Sequence, residues 1–236
     1  MRATLLVGMA WLGLVAAVSY PAPGPAEARA VAQTTTSAQM EQVAKPVREI
    51  HIDLWKRRLH VLENGVVIKT YPIGPGASAT PTPIGEFCVV TKSRNWGGGF
   101  GTRWLGLNVP WGIYGIHGTN RPHLIGGYVS HGCIRMRNRD VEELYELIPH
   151  GTRVVIDGPL FGYAGVEYRK LVRGDRGSLV VLVQNRLQAA GFYAGRCHGV
   201  FDGATEDAVK RFQREWGMPV TGQVDWRDYV ALGLIE

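Results

Sequence analysis

Ile50-His51-Ile52-Asp53-Leu54, then Leu59-His60-Val61-Leu62, then Asn64-Gly65 running into Val66-Val67-Ile68, is the stretch whose reading decides the architecture. Ile50, Ile52 and Leu54 alternate with His51 and Asp53, the period-two pattern of a strand with one buried face. Asn-Gly between two apolar runs supplies the two positive-φ residues that a tight hairpin demands. A β-meander therefore opens this part of the chain. Gly and Pro punctuate residues 72–85, ending in Pro81-Thr82-Pro83-Ile84-Gly85, and a strand resumes from Phe87 to Thr91. One helix interrupts the pattern. Val141, Leu144, Tyr145 and Ile148 share a helical face, Asn138 or Asp140 can cap its start, and Pro149 with Gly151 stops it before a strand from Arg153 to Asp157. The expectation is a mostly β domain over residues 48–158, sandwich or barrel-like, with one or two helices.

Beyond that domain the period changes. Gly158-Pro159 and Gly162 mark a linker at residues 159–169, and from residue 170 to 236 the apolar spacing is helical. Val180, Val183, Leu187 and Ala190 line one face before Gly191; Ala208, Val209, Phe212 and Trp216 line a second; Asp225 with Asp228 starts a short third helix carrying Tyr229 and Leu232. A three-helix unit of roughly 65 residues has only a small core, so Phe212 and Trp216 are read as structural, facing inward. At the other end, Arg2, the apolar run from Leu5 to Val18 and Ala28-Arg29-Ala30 read as a signal peptide or N-terminal anchor over residues 1–30. Residues 31–47, without periodicity, read as a spacer. Export to the cell wall, periplasm or extracellular space is the expectation, with membrane contact only through an uncleaved N-terminal segment.

The net charge of +6 is spread along the chain, and its one dense basic run is Lys56-Arg57-Arg58. Nucleic-acid binding, which wants a basic stripe interleaved with aromatics, is set aside. A mild positive excess suits an anionic polymer. Cys88, Cys133 and Cys197 make an odd count, so at least one thiol is free in a monomer. Cys88 reads as a small core hydrophobe and Cys197 as a loop residue.

Chemistry concentrates in Tyr114-Gly115-Ile116-His117-Gly118 and Ser130-His131-Gly132-Cys133-Ile134-Arg135-Met136. Thiolate is the competent nucleophile, so a catalytic cysteine needs an imidazole to take its proton and return it to a leaving amine. His117 and His131 are both candidates for that imidazole. Gly132 lets the backbone approach a substrate closely and offers the Gly132 and Cys133 N–H groups as oxyanion donors. The arrangement is one for acyl transfer.

At these residues the chain resembles the L,D-transpeptidase family of YkuD type, whose motif is an upstream His followed after a loop by Ser/Thr-His-Gly-Cys. The likeness runs through Pro81 to Phe87 and Gly99 to Arg103. It implies a mostly β fold, Cys133 as nucleophile, His117 as general base turned general acid, and the Gly118 carbonyl as the group that orients the imidazole. It implies that His131 shapes the site, with Ser130, Gly132, Arg135 and Tyr114 on the oxyanion and substrate side. Arg135 departs from members that place Asn there, and either holds a substrate carboxylate or pairs at the surface.

The C-terminal unit resembles the three-helix peptidoglycan-binding domain through Leu171 to Gly177, Val183 to Leu187, Gly199 to Gly203 and Val209 to Gln213. Together the two likenesses imply a monomer that cross-links stem peptides, with a tetrapeptide donor, an amine acceptor and release of D-Ala. They imply no metal or other cofactor, and carbapenem acylation of Cys133. Water in place of the amine would make the same site an L,D-carboxypeptidase. Two other classes are a zinc wall hydrolase with His117, His123, His131 and Cys133 as ligands, and a wall-binding scaffold with a silent site.

Overall fold

The computed structural model describes residues 46–159 and 167–235, and these belong to one compact unit. The signal-peptide and spacer readings, and most of the linker, lie outside the described residues.

Eight strands make a single mixed sheet: β1 (Arg48–Asp53), β2 (Arg58–Glu63), β3 (Val66–Pro72), β4 (Gly85–Arg94), β5 (Arg103–Leu107), β6 (Tyr114–His117), β7 (Ile134–Arg135) and β8 (Arg153–Asp157). Their order across the sheet is β3-β2-β1-β8-β4-β5-β6-β7. The β2–β3 hairpin turns on Asn64 and Gly65, with φ of 51° and 81°, the left-handed pair that Asn-Gly favours. β4 is long enough to serve two partners. Its Gly85–Cys88 half pairs with β8 and its Val89–Arg94 half with β5, and the register slips between Val89 and Thr91. An irregularity of this kind bends the strand, which curls the sheet into the expected sandwich-like form.

The alternating residues Ile50, Ile52, Leu59, Val61, Phe87, Val89, Ile116, Ile134, Val154 and Ile156 fill the core, closed by helix α1 (Asn138–Leu147) through Val141 and Leu144. The predicted caps of this helix are not its caps. Arg137 occupies the N-cap position without a side-chain bond, Asp140 lies within the first turn, and Asn138 turns its amide away from the helix, as described below.

Three helices follow: α2 (Ser178–Ala189), α3 (Gly203–Glu215) and α4 (Trp226–Ala231). Asp202 caps α3 through the Thr205 N–H, and Asp225 with Asp228 forms a reciprocal capping box on α4. Trp216 corrects the inward reading: it is 58% exposed, because α3 ends at Glu215 and the ring reaches back only to the edge of Phe212. Ala190, at the C-cap of α2, is exposed for the same reason.

What helical periodicity did not foresee is a pair of buried glutamines in so small a core. Gln184 donates to the Val200 carbonyl and to Thr205 Oγ1, each at 2.9 Å, and accepts from the Gly199 N–H at 2.9 Å. Gln213 likewise accepts from the N–H groups of Thr221 and Gly222 and donates to Asp228. Loop backbone that would otherwise be buried unpaired is thereby satisfied. Gln184→Leu, similar in bulk but without donors or acceptors, should lower the stability of the C-terminal helical region by about 2–4 kcal/mol in chemical denaturation, from more than one orphaned backbone group.

Candidate active site

Two short strands bring the chemistry together. β6 and β7 pair in parallel, Ile116 opposite Ile134 and His117 opposite Arg135. Side chains alternate along a strand, so His117 and Arg135 share the face opposite to the buried Ile116 and Ile134. Cys133, two residues before Arg135, falls on that same face beside Gly115, whose backbone N–H reaches its sulfur. The long loop between the strands is therefore a return path, and its closing turn presents the thiol.

His117 is buried, at 2% exposure. Trp104 stacks on its ring at 5.7 Å and Phe100 meets it edge-on at 4.9 Å. Nδ1 lies 2.6 Å from the Gly118 carbonyl oxygen. A carbonyl can only accept, so Nδ1 carries the proton and Nε2 is left with its lone pair. Burial pushes the imidazole down to about 4, opposed by the bond to the Gly118 carbonyl and a further backbone bond at Phe100, while the Arg135 guanidinium pushes the same way as burial. It is neutral near pH 7.

Cys133 is half-buried, and burial raises its thiol above the usual range, opposed by the Gly115 N–H and the Arg135 charge. The resting site thus holds a neutral thiol and a neutral imidazole. The turn that carries Cys133 is held by Ser130, which is buried. Its hydroxyl donates to the Cys133 carbonyl at 2.5 Å and accepts the Gly132 N–H at 3.0 Å. That commitment removes Gly132 from the two expected oxyanion donors. The Cys133 N–H takes no such partner among the described residues and is the donor the turn leaves available. Gly132 is needed for a different reason: its φ is +107°, and a Cβ there would lie 2.7 Å from Tyr114 Cε1.

The other expected residues surround this pair. Tyr114 packs on Gly132, and its phenol is pushed up first by burial and then by the negative charge Cys133 can carry. Arg135 exerts its charge on both His117 and Cys133, and its Nε is buried without a protein partner among the described residues. His131 is exposed, on the opposite side of Gly132 in sequence from the thiol. Among the described residues no three of His, Cys, Asp and Glu gather as a metal-ligand set.

Asn138 is the site residue the sequence did not reveal. Its Oδ1 accepts from the Thr119 N–H at 3.1 Å and the Thr102 N–H at 3.4 Å. It occupies space that a side chain at Gly101 or Gly118 would need, since a Cβ at either would come within 2.2 Å of Oδ1. Asn138 thereby fixes the peptide whose carbonyl orients His117. Its position before an apolar helical run made capping the ready reading, and only the sheet brings residues 102, 119 and 138 together.

Residues 47–156 match the family model of the L,D-transpeptidase catalytic domain, and residues 176–227 match that of a peptidoglycan binding domain. The YkuD protein of Bacillus subtilis, named as an L,D-transpeptidase, is 49% identical over 108 residues, 46% of this chain and 65% of its own length. YqjB of the same organism, named likewise, is 38% identical over 132 residues, 49% of this chain and 75% of its own. The catalytic domain of an Enterococcus faecium L,D-transpeptidase aligns over 47% of this chain and 96% of that one, at 26% identity and a TM-score of 0.42. The chain thus spans slightly less than two thirds of the YkuD protein's length.

Asn138→Ala should slow single-turnover acylation of Cys133 by about tenfold, in keeping with the ~1–3 kcal/mol that a lost buried acceptor costs. Mass spectrometry of quenched samples reads the rate, and an unchanged rate would remove Asn138 from the site.

Proposed function

We propose, from the premise that this chain belongs to the L,D-transpeptidase family, that it cross-links peptidoglycan stem peptides through a thioester on Cys133. The observation that supports the reading is the shared face of β6 and β7, on which lie both the buried His117 imidazole, tied through Nδ1 to the Gly118 carbonyl, and the Cys133 thiol.

In the proposed cycle, Cys133 attacks the carbonyl carbon of the third residue of a tetrapeptide stem while its proton passes to His117 Nε2. The Cys133 N–H receives the oxyanion. Collapse of the adduct breaks the C–N bond, His117 returns the proton to the departing amine, and D-Ala leaves. An amine from a second stem then attacks the thioester, His117 takes its proton, and the thiol is restored as the new amide forms. Arg135, whose positive charge acts on both His117 and Cys133, would pair with a substrate carboxylate. The C-terminal region, matched to a peptidoglycan binding domain, would hold the enzyme on the polymer and raise the effective concentration of a weakly bound stem. The substrate lies outside the membrane, so the reading includes export.

Intact mass of the wild type and Cys133→Ala after incubation with a disaccharide-tetrapeptide, and separately with a carbapenem, tests the reading. A Cys133-dependent adduct with D-Ala release and a dimeric product is expected. Release without a dimer would make the enzyme a carboxypeptidase. Neither adduct nor release, in protein that still sediments with peptidoglycan, would leave a wall-binding scaffold.

A further inference from the structure

A cleft of about 310 Å³ opens beside the catalytic turn. Its walls include Pro81, Pro83, Trp111, Tyr114 and His131 from the β domain. They also include Ser178, the first residue of α2. The helical region thus borders a cleft that shares His131, and the Tyr114 ring packed on Gly132, with the turn that carries Cys133.

Its position there is built by close contacts. The Glu86 N–H at the start of β4 donates to the Cys197 carbonyl at 3.1 Å. A Cβ at Gly85 would lie 2.6 Å from that same oxygen. Trp111 is the wedge between the two parts: it meets Phe87 edge-on at 6.0 Å, and a Cβ at Gly199 would lie 2.4 Å from its ring. Gly199 has φ +74° and is held through its N–H by Gln184, so this loop accepts the indole only because it lacks a side chain. Arg196 adds a contact to Cys88 Sγ at 3.6 Å. A domain that merely tethers the enzyme to its polymer needs none of these contacts.

We infer that the C-terminal helical region is a wall of the active-site cleft as well as a tether, and that Ser178 is a specificity-determining residue that limits the width of the peptide reaching Cys133. The inference rests on the function proposed above. The cleft's chemistry suits an extended peptide with small side chains. Prolines and aromatics make up much of its lining, and among the described residues Tyr114 and His131 are its only titratable groups, with no carboxylate or ammonium side chain. The small hydroxymethyl of Ser178 leaves the passage open, whereas a large side chain there would narrow it from the helical side without altering any residue of the β domain.

The test is Ser178→Trp in the full chain, with Ser178→Ala as control. Ser178→Trp should be acylated by a disaccharide-tetrapeptide at least tenfold more slowly than wild type and Ser178→Ala. Its Cys133 should react with iodoacetamide at the wild-type rate but with a bulky N-aryl maleimide several-fold more slowly, and it should still sediment with insoluble peptidoglycan. Wild-type rates with both the tetrapeptide and the maleimide would overturn the inference, as would equal losses with the small and the bulky thiol reagents. Should the wild type itself resist the tetrapeptide, the function reading fails, while the paired thiol reagents still report whether Ser178 borders the path to Cys133.

Discussion

The parallel pairing of β6 with β7 is the constraint on which the rest depends. Its register places His117 and Cys133 on one face and buries Ile116 and Ile134 on the other, so the hydrophobic core and the reactive pair are fixed by the same alternation. A slip of one residue would send the thiol into the core. The strand is only two residues long, and reinforcement comes from outside the ladder. Gly74 and Arg135 exchange two backbone bonds, at 2.8 and 3.0 Å, and the Met136 N–H donates to the His117 carbonyl at 2.8 Å. Core packing thereby sets the geometry of the candidate site.

Burial then sets the electrostatics. Taking an imidazole out of water disfavours its cation and taking a thiol out of water disfavours its anion, so the two groups are driven toward the same neutral state from opposite directions. Arg135 favours the thiolate and opposes the imidazolium, but desolvation is the larger influence on each. The Gly118 carbonyl selects the tautomer, and Asn138 holds the peptide that bears it. A chain of positioning thus runs from the first residue of α1 to the imidazole of His117.

Much of this was legible in the residues. Period-two alternation with Asn64-Gly65 disclosed the hairpin, and the three C-terminal helices fell where apolar spacing and Asp225 put them, because these are local signals whose physics acts within a few residues. Ser130-His131-Gly132-Cys133 stood out as a compact motif, and the structure makes it a tight turn held by Ser130. What stayed hidden depends on contacts distant in sequence. Ser130 takes the Gly132 N–H that had been assigned to the oxyanion; Asn138 serves Thr102 and Thr119 instead of its own helix; Trp111 fits against Gly199. Trp216 was misread because periodicity places a residue on a face but does not say that the helix ends one residue too early for that face to be covered.

The central claim is that thiol and imidazole rest neutral and exchange the proton only during attack. The most direct measurement is the pH dependence of iodoacetamide alkylation at Cys133, read by mass of the Cys133-containing peptide, because this reagent reports the thiolate alone. A neutral pair predicts a rate that climbs about tenfold per pH unit between pH 6 and 8, as expected of a thiol whose ionisation lies above that window. A fast rate already constant across those values, persisting below pH 6, would show a preformed thiolate–imidazolium pair and contradict the account.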